Sequence, residues 1–458
     1  MPLTEKVKKR LTGKSGSSTV FLAMAFVTFA ICIAGSIGVS RHLTVMSECR
    51  SFGRVWSRAI LSEYDRHLLE DYGLMAYWGN EAEVVKRIDT YFGYSASGRL
   101  GIHIGGTVSD LTGYELGEPD NFRDAMKKGF AGSSVKAFLS NASRKERGSV
   151  TGSAEGGEES GGNDHDGGAG SSGSGRAIGN AVVLDTLPSG GMGGSVSTDA
   201  LTERAKSLRD EEGVRSAAAS AGTEVAFMWR YFSSNATVPD DKPHYLDGEL
   251  EYVIKGSPED KVNYEACRKR IFLMRNALNL VSLYMDAEKT ELITAAAELI
   301  TPGPLGAATQ LLIAEAWAAL ETEEDLKVLY DNGRVPVIKT PEQWQTDLGS
   351  VLDSSKVRGS LDDEAKELLD ENREEIDNLP GAGHAASLIT EGLSYDDHLM
   401  LMILCMNSNT RLLRVMDIVQ IDMKYRYYRD FNLMEYYTGV RYALTADGRD
   451  YVFEDSYK

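Results

Sequence analysis

The chain has 458 residues, of which 68 are acidic and 49 are basic, and its formal net charge at pH 7 is −19. A negative charge of this size repels the phosphate backbone of nucleic acids and favours a well-solvated surface, so we expect no nucleic-acid partner. The four cysteines have no paired spacing, which excludes a small domain held together by a disulfide framework.

One uninterrupted apolar run near the N-terminus dominates the pattern. Residues 20–39 contain no charged residue and no proline. As a helix with a rise of about 1.5 Å per residue, this run is about 30 Å long, the thickness of the hydrocarbon core of a bilayer. The sequence therefore predicts a transmembrane helix and the lipid bilayer as a partner. The alternative is a cleaved secretory signal peptide, whose apolar core is ordinarily shorter, about 7–15 residues.

The residues before this run form a basic tail. Residues 1–19 contain one acidic residue, Glu5, and the basic residues Lys6, Lys8, Lys9, Arg10 and Lys14. Segments rich in Lys and Arg next to a membrane helix remain on the cytoplasmic side. We therefore expect a single-pass protein of the cytoplasmic membrane, with its N-terminus inside and its large polar remainder outside.

Three small residues of the apolar run share one helical face. Ala30, Ala34 and Gly38 are four residues apart, and small residues at this spacing let two membrane helices approach closely. The sequence predicts a helix–helix packing face here. The alternative is that alanine and glycine are simply common in membrane helices.

Helical spacing continues beyond the apolar run. Apolar residues recur at Val45, Cys49 and Trp56 with polar residues between them and no Gly-Pro break. We expect the membrane helix to continue as an amphipathic helix that ends at Gly73. With the mixed stretches that follow, it predicts a membrane-proximal domain at residues 40–140 that contains a small α+β module.

Composition divides the rest of the chain. Residues 141–200 are rich in Gly, Ser, Asp and Glu and predict a disordered linker, because they cannot bury enough apolar surface to fold. Residues 201–458 predict a helix-rich extracytoplasmic domain, and the whole chain an α+β fold that is mainly α. Helices are predicted at 201–232, 267–285, 290–300, 304–320, 323–330, 395–406 and 409–423, strands at 248–255, 436–444 and 451–453, and an exposed acidic helix or loop at 351–377.

One set of side chains has metal-ligand spacing. Glu63, His67 and Asp71 are each one helical turn apart, as in helical metal sites. We favour a charged ladder near a helix end, in which Arg66 faces Glu63 and Glu70, because the set has a single histidine.

The remaining polar motifs predict structural roles. Asp396 to His398 follow Ser394 and favour a helix N-cap. Cys267 and Cys405 lie in apolar patterns and are expected in the core. The basic and aromatic stretch 424–429 is expected at the end of a helix. No catalytic, cofactor or metal motif occurs in the sequence, so we expect a protein that is not an enzyme and needs no cofactor.

Six stretches resemble a known family. The chain is similar to the TadE/TadG-like pseudopilins of tight-adherence (Tad) pilus systems, most closely to long uncharacterised forms from Gram-positive bacteria. The stretches are Gly16–Leu22, Ser62–Leu74, Asp247–Tyr252, Gly333–Lys339, Leu393–His398 and Met416–Gln420.

The resemblance implies a role in the cell envelope rather than catalysis. It implies partners among pilus-system membrane proteins or pilins, and cleavage by a prepilin peptidase near Gly16, which would leave the apolar helix at the new N-terminus. The chain departs from major pilins at Phe21, where they have a glutamate. The alternatives are an anchored adhesin or ligand-binding ectodomain, and an anchored hydrolase, which would need catalytic residues that converge in the fold.

Overall fold

The computed structural model describes residues 15–96, 102, 104–129, 148–149, 187–190, 198–208, 210–220, 222–238, 242–382 and 391–457. Most of the predicted linker at residues 141–200, and residues 1–14 of the basic tail, lie outside the described residues. Helices dominate the described part of the chain, which confirms the α+β, mainly α fold class.

The secondary-structure elements have the following bounds. The helices are α1 (Ser15–Leu61), α2 (Arg66–Tyr72), α3 (Glu81–Ala96), α4 (Pro119–Gly129), α5 (Thr198–Leu208), α6 (Glu211–Ser220), α7 (Thr223–Tyr231), α8 (Glu249–Lys255), α9 (Asp260–Met285), α10 (Ala287–Ile300), α11 (Gly306–Tyr330), α12 (Leu348–Leu352), α13 (Ser355–Ser360), α14 (Asp363–Glu371), α15 (Arg373–Asp377), α16 (Tyr395–Leu404) and α17 (Ser408–Arg426). The strands are β1 (Tyr77–Trp78), β2 (Ile104–Ser109), β3 (Gly148–Ser149), β4 (Thr237–Val238), β5 (Tyr436–Tyr437), β6 (Gly439–Ala446) and β7 (Arg449–Ser456).

The chain divides into two compact units, and the first is discontinuous. It comprises residues 1–64, 76–114 and 437–458. Within it, β2, β6 and β7 form an antiparallel sheet in that order. The C-terminal part of α1 packs against β6 and β7, and α3 packs against β2. The buried apolar core consists of Trp56, Ile60, Leu61, Tyr77, Val84, Ile88, Leu111, Val440, Tyr442, Leu444 and Phe453.

The hairpin β6–β7 confirms the two strands predicted near the C-terminus. Ala446 pairs with Arg449, and the two turn residues between them have positive φ angles, 48° at Asp447 and 75° at Gly448. Such a turn matches the right-handed twist of the strands. The predicted division placed this hairpin in the domain 201–458, whereas the fold groups it with α1 because Tyr442 and Phe453 fill the core of the first unit.

The predicted helix from the membrane run to Gly73 is interrupted. Helix α1 ends at Leu61, and the separate helix α2 begins after Asp65. The Asp65 carboxylate accepts a hydrogen bond of 2.8 Å from the Leu68 amide. This N-cap begins the new helix α2, so the chain does not continue α1 through Asp65. The predicted terminus is confirmed, since Gly73 caps α2 with a left-handed φ of 67°.

The second unit comprises residues 65–75 and 115–436, and helices predominate among its described residues. Helices α9, α10, α16 and α17 confirm the helices predicted at 267–285, 290–300, 395–406 and 409–423. The prediction of separate helices at 304–320 and 323–330 is wrong, because α11 runs through both. Glu321 stays inside the helix, where its buried carboxylate accepts hydrogen bonds from the Gln345 and Thr346 amides.

Three other sequence predictions in this unit need correction. The acidic stretch 351–377 contains the end of α12 and the three short helices α13–α15, which bury one apolar side each against α10 and α11 rather than lying exposed. The single helix predicted at 201–232 is three helices, α5–α7. The strand predicted at 248–255 is helix α8, whose residues Glu249–Ile254 are all buried, so the alternation of polar and apolar residues does not reflect one exposed and one buried face.

Candidate functional site

Helix α1 has an N-terminal part without packing partners and a packed C-terminal part. Its apolar residues from Val20 to Val39 are exposed, Phe21 to 75%, whereas Val45, Cys49 and Trp56 further along are buried. This helix is long and apolar enough to cross a membrane, and no other helix in the described ranges is. Exposed apolar side chains on every side of a helix suit a lipid environment.

Polar side chains in the apolar part satisfy their own hydrogen bonds. Thr28 Oγ1 donates to the Met24 carbonyl at 2.9 Å and Ser36 Oγ to the Cys32 carbonyl at 2.8 Å. The helix therefore presents no unsatisfied hydroxyl at these positions, which matters because hydrocarbon offers no partners.

The predicted packing face lies in this exposed part. Ala30, Ala34 and Gly38 are exposed, and a Cβ added at Gly38 would meet no atom within 4 Å. Gly16 lies in the first turn of α1. Helix packing through the three small residues and peptidase cleavage at Gly16 stay predictions.

A cleft with a volume of about 180 Å³ lies directly after the apolar run. We call it the juxtamembrane cleft; its lining residues are Gly38, Arg41, His42 and Val45 of α1 and Ala446, Asp447, Arg449 and Tyr451 of the hairpin β6–β7. Arg41 Nη2 lies 3.7 Å from Asp447 Oδ2, and Arg449 Nη1 lies 3.1 Å from His42 Nδ1. The lining of the cleft thus combines two guanidinium groups and one carboxylate with the buried apolar side chains of Val45 and Ala446.

The residues with metal-ligand spacing each contact other side chains rather than one another. Glu63 forms an ion pair of 2.8 Å with Arg87, and the His67 ring stacks on Tyr427 with centroids 3.9 Å apart. Asp71 is buried and accepts a hydrogen bond of 2.9 Å from the Tyr427 hydroxyl. The predicted ladder is confirmed for Arg66 with Glu70 at 2.6 Å, while Glu63 pairs with Arg87 instead of Arg66.

A buried polar cluster that the sequence did not predict lies in the second unit. We call it the Asp422 cluster, and it consists of Asp71, His244, Glu249, Asp422 and Arg426. Asp422 Oδ2 accepts from Arg426 Nη2 at 2.7 Å, and His244 Nδ1 lies 2.9 Å from Glu249 Oε2. Arg426 also donates to Asp71 at 3.1 Å. The cluster links α2, α8, α17 and the segment before α8.

The protonation of this cluster follows from its burial. Burial, reinforced by the Asp422 charge, raises the pKa of Glu249 to about 8. Burial alone would raise the pKa of Asp422. Hydrogen bonding with His244 and the positive charge of Arg426 outweigh burial and hold this pKa below its usual value. Opposite shifts on adjacent carboxyls let one remain neutral beside one that is ionised.

His244, Glu249 and Asp422 are close enough to be considered as metal ligands. However, Arg426 Nη2 lies 3.2 Å from His244 Nδ1 as well as 2.7 Å from Asp422. A divalent cation would have to displace this guanidinium, whose side chain is only 4% exposed. The cluster therefore fits a structural ionic network better than a metal centre.

The other polar motifs have structural partners. Ser394 and Asp397 form the predicted cap of α16, in which Asp397 Oδ2 accepts from the Ser394 amide at 2.9 Å. Asp396 binds the Ser234 hydroxyl at 2.6 Å. Cys267 is fully buried as predicted, whereas Cys405 is only half-buried at the end of α16.

The stretch 424–429 lies at the end of α17 as predicted, but not all of its side chains are exposed. Tyr425, Tyr427 and Tyr428 are exposed, whereas Arg426 turns inward to the Asp422 cluster. The spacing of Asp422 and Arg426, one helical turn apart, was the signal for that ion pair. The signal for the juxtamembrane cleft was Asp447-Gly448 between two strand-like stretches, a dipeptide typical of tight hairpins.

Comparison with known protein families identifies a family for this chain. The model of a "Family of unknown function (DUF5702)" matches residues 181–448, which excludes helix α1. Searches of curated proteins and of solved structures found no match.

Proposed function

Because this chain belongs to the DUF5702 family, whose function is unknown, we propose its function from its own features. The protein is a membrane-anchored, non-catalytic component of a Tad-type pilus or secretion system. It acts as a pseudopilin or as an assembly and surface-interaction component, and its large folded part lies outside the cytoplasmic membrane. Its partners are the lipid bilayer and other membrane proteins or pilins of that system, and not nucleic acid.

The observation that carries this proposal is the division of helix α1. Its apolar residues are exposed over about the length of a bilayer, and the same continuous helix then enters the core of the first unit through Val45, Cys49, Trp56 and Ile60. A helix without an internal break couples lateral contacts in the bilayer to the folded unit outside. An assembly component needs this coupling, whereas an adhesin could be tethered by any flexible anchor.

The resemblance in sequence supports the choice of system. The stretch Gly16–Leu22 forms the start of the helix and Ser62–Leu74 follows its end, so the two similar stretches lie at the two ends of the element on which the proposal rests. The basic residues before the run support an inside N-terminus.

The packing face offers the first test. We expect Ala30→Leu with Ala34→Leu to weaken crosslinking in membranes to Tad-type membrane proteins by about fivefold, because bulky residues prevent close approach of two helices. Both changes increase hydrophobicity, so insertion should remain intact. Crosslinking is measured at matched protein abundance.

The matched control is Ala25→Leu with Cys32→Leu, which enlarges two small residues on the opposite side of the same helix. We expect this variant to crosslink like the wild type. Equal crosslinking of the wild type and both variants would make the helix a passive tether and would favour the adhesin alternative.

A further inference from the structure

We propose that the juxtamembrane cleft binds the phosphate group of an anionic phospholipid headgroup. The inference rests on the proposed membrane anchoring and adds a ligand to it. It concerns Arg41 and His42 of α1 and Arg449 of the hairpin β6–β7, which line one cleft although the hairpin is about 400 residues further along the chain.

The cleft has the right position for a headgroup. Arg41 is the first charged residue after the apolar run that begins at Val20, and a helix of this length is about 32 Å long. If the run fills the hydrocarbon core, Arg41 lies at the level of the phosphates. Arginine at the end of a membrane helix extends its charge to this level.

The cleft also has the right charge. The guanidinium groups of Arg41 and Arg449 are planar donors that suit phosphate oxygens. Arg449 contacts α1 through His42, whose Nδ1 lies 3.1 Å from Arg449 Nη1. The carboxylate of Asp447, 3.7 Å from Arg41, offsets part of this charge. Among the described residues, Arg449 has no carboxylate within ion-pair distance, so its charge faces the cleft without an acidic partner.

The shape of the cleft favours a lipid over a free phosphate ion. Gly38 contributes no side chain, which leaves space beside the helix. The lining also includes the buried apolar side chains of Val45 and Ala446, with Tyr451 partly buried against them. With the phosphate at the level of Arg41, the glycerol and the first acyl carbons of a lipid extend back towards the apolar run into the space beside Gly38. The exposed apolar side chains of the run offer them contacts that a hydrated inorganic ion cannot use. A volume of about 180 Å³ fits a headgroup fragment rather than a whole lipid.

The test uses the full-length protein in lipid nanodiscs made of phosphatidylcholine with a fraction of phosphatidylglycerol. Native mass spectrometry after release into mild detergent counts the phosphatidylglycerol molecules that stay bound. We expect the wild type to retain phosphatidylglycerol over phosphatidylcholine. Arg449→Gln should reduce that retention by about fivefold, the effect of one cation near an anionic lipid.

Two further variants distinguish lipid binding in the cleft from non-specific attraction of anionic lipids to positive charge. Asp447→Asn should increase retention because it removes the carboxylate beside Arg41, and asparagine tolerates the left-handed backbone at this turn. Arg50→Gln removes an exposed cation of α1 that does not line the cleft, and it should retain lipid like the wild type. Equal losses in Arg449→Gln and Arg50→Gln, or no gain in Asp447→Asn, would overturn the proposal.

Soluble competitors identify the source of the phosphate. Excess glycerol phosphate or inorganic phosphate should leave phosphatidylglycerol bound, and displacement by either would overturn the assignment to a lipid. All variants keep the apolar run, so a protein that fails to enter nanodiscs at all contradicts the anchor. Normal lipid retention with no crosslinking to Tad-type proteins contradicts the pilus role alone.

Discussion

The buried carboxyl of Glu249 makes the stability of the second unit depend on pH. Its pKa is raised from 4.5 to about 8 by burial and the nearby Asp422 charge, so the folded protein keeps a proton that the unfolded chain releases. The resulting contribution to the free energy of unfolding is complete below about pH 4.5, where both states are protonated. It is lost as the pH rises from there towards about 8.

Glu249→Gln tests this sign. The amide cannot ionise, so we expect the melting temperature of the variant to fall less than that of the wild type between about pH 5 and about pH 8. Burial also raises the pKa of Glu251 to about 7 and that of Asp417 to about 6. These two groups lower the stability with rising pH in the wild type and in the variant alike. The difference between the two curves of melting temperature against pH therefore reports Glu249. Parallel curves would contradict the raised pKa.

Among the elements, short helix α2 shows how local chemistry ends one helix and begins another. Asp65 caps its first turn, and Gly73 closes it with a positive φ while its amide donates to the Leu69 carbonyl at 2.9 Å. A Cβ at Gly73 would lie 3.0 Å from the Tyr231 hydroxyl. Both the backbone conformation and the space therefore favour glycine.

Gly73→Ala should lower the free energy of unfolding of the second unit by about 1 kcal/mol, because a left-handed conformation costs a residue with a Cβ about that much. The control is Gly359→Ala in helix α13 of the same unit, where an added Cβ would meet nothing within 4 Å and alanine favours the helix. Chemical denaturation compares the two. An equal effect of both substitutions would show that the cap of α2 does not require glycine.

The elements that could be predicted from the sequence have apolar residues on one side. The spacing of Cys267, Ile271 and Met274 predicted α9 because these residues are buried on one face. Helix α8 was mistaken for a strand because it is buried on both sides and includes two glutamates. The partners that make their burial tolerable are distant in sequence; for Glu251 they include the Tyr395 hydroxyl at 2.7 Å.

At the scale of the whole molecule, the order of elements along the chain differs from their grouping in space. The predicted domain boundaries at residues 140 and 200 were based on amino-acid composition. Composition could not reveal that a C-terminal hairpin packs beside an N-terminal helix. That contact is the packing of α1 against β6 and β7, which depends on side chains that are far apart in the sequence. The juxtamembrane cleft depends on the same packing and on the hairpin in which Ala446 pairs with Arg449, which explains why its basic residues could be seen in the sequence but not assembled into a site.

The central claim is that helix α1 crosses the membrane and leaves residues 41–458 outside. The most direct measurement is digestion of intact protoplasts with an external protease, followed by detection of tags at both ends of the chain. We predict that the C-terminal tag is lost and that an N-terminal fragment containing residues 1–40 survives. Detergent-permeabilised protoplasts serve as the control for intrinsic protease resistance. Protection of the C-terminal tag in intact protoplasts, with digestion after permeabilisation, would contradict the account.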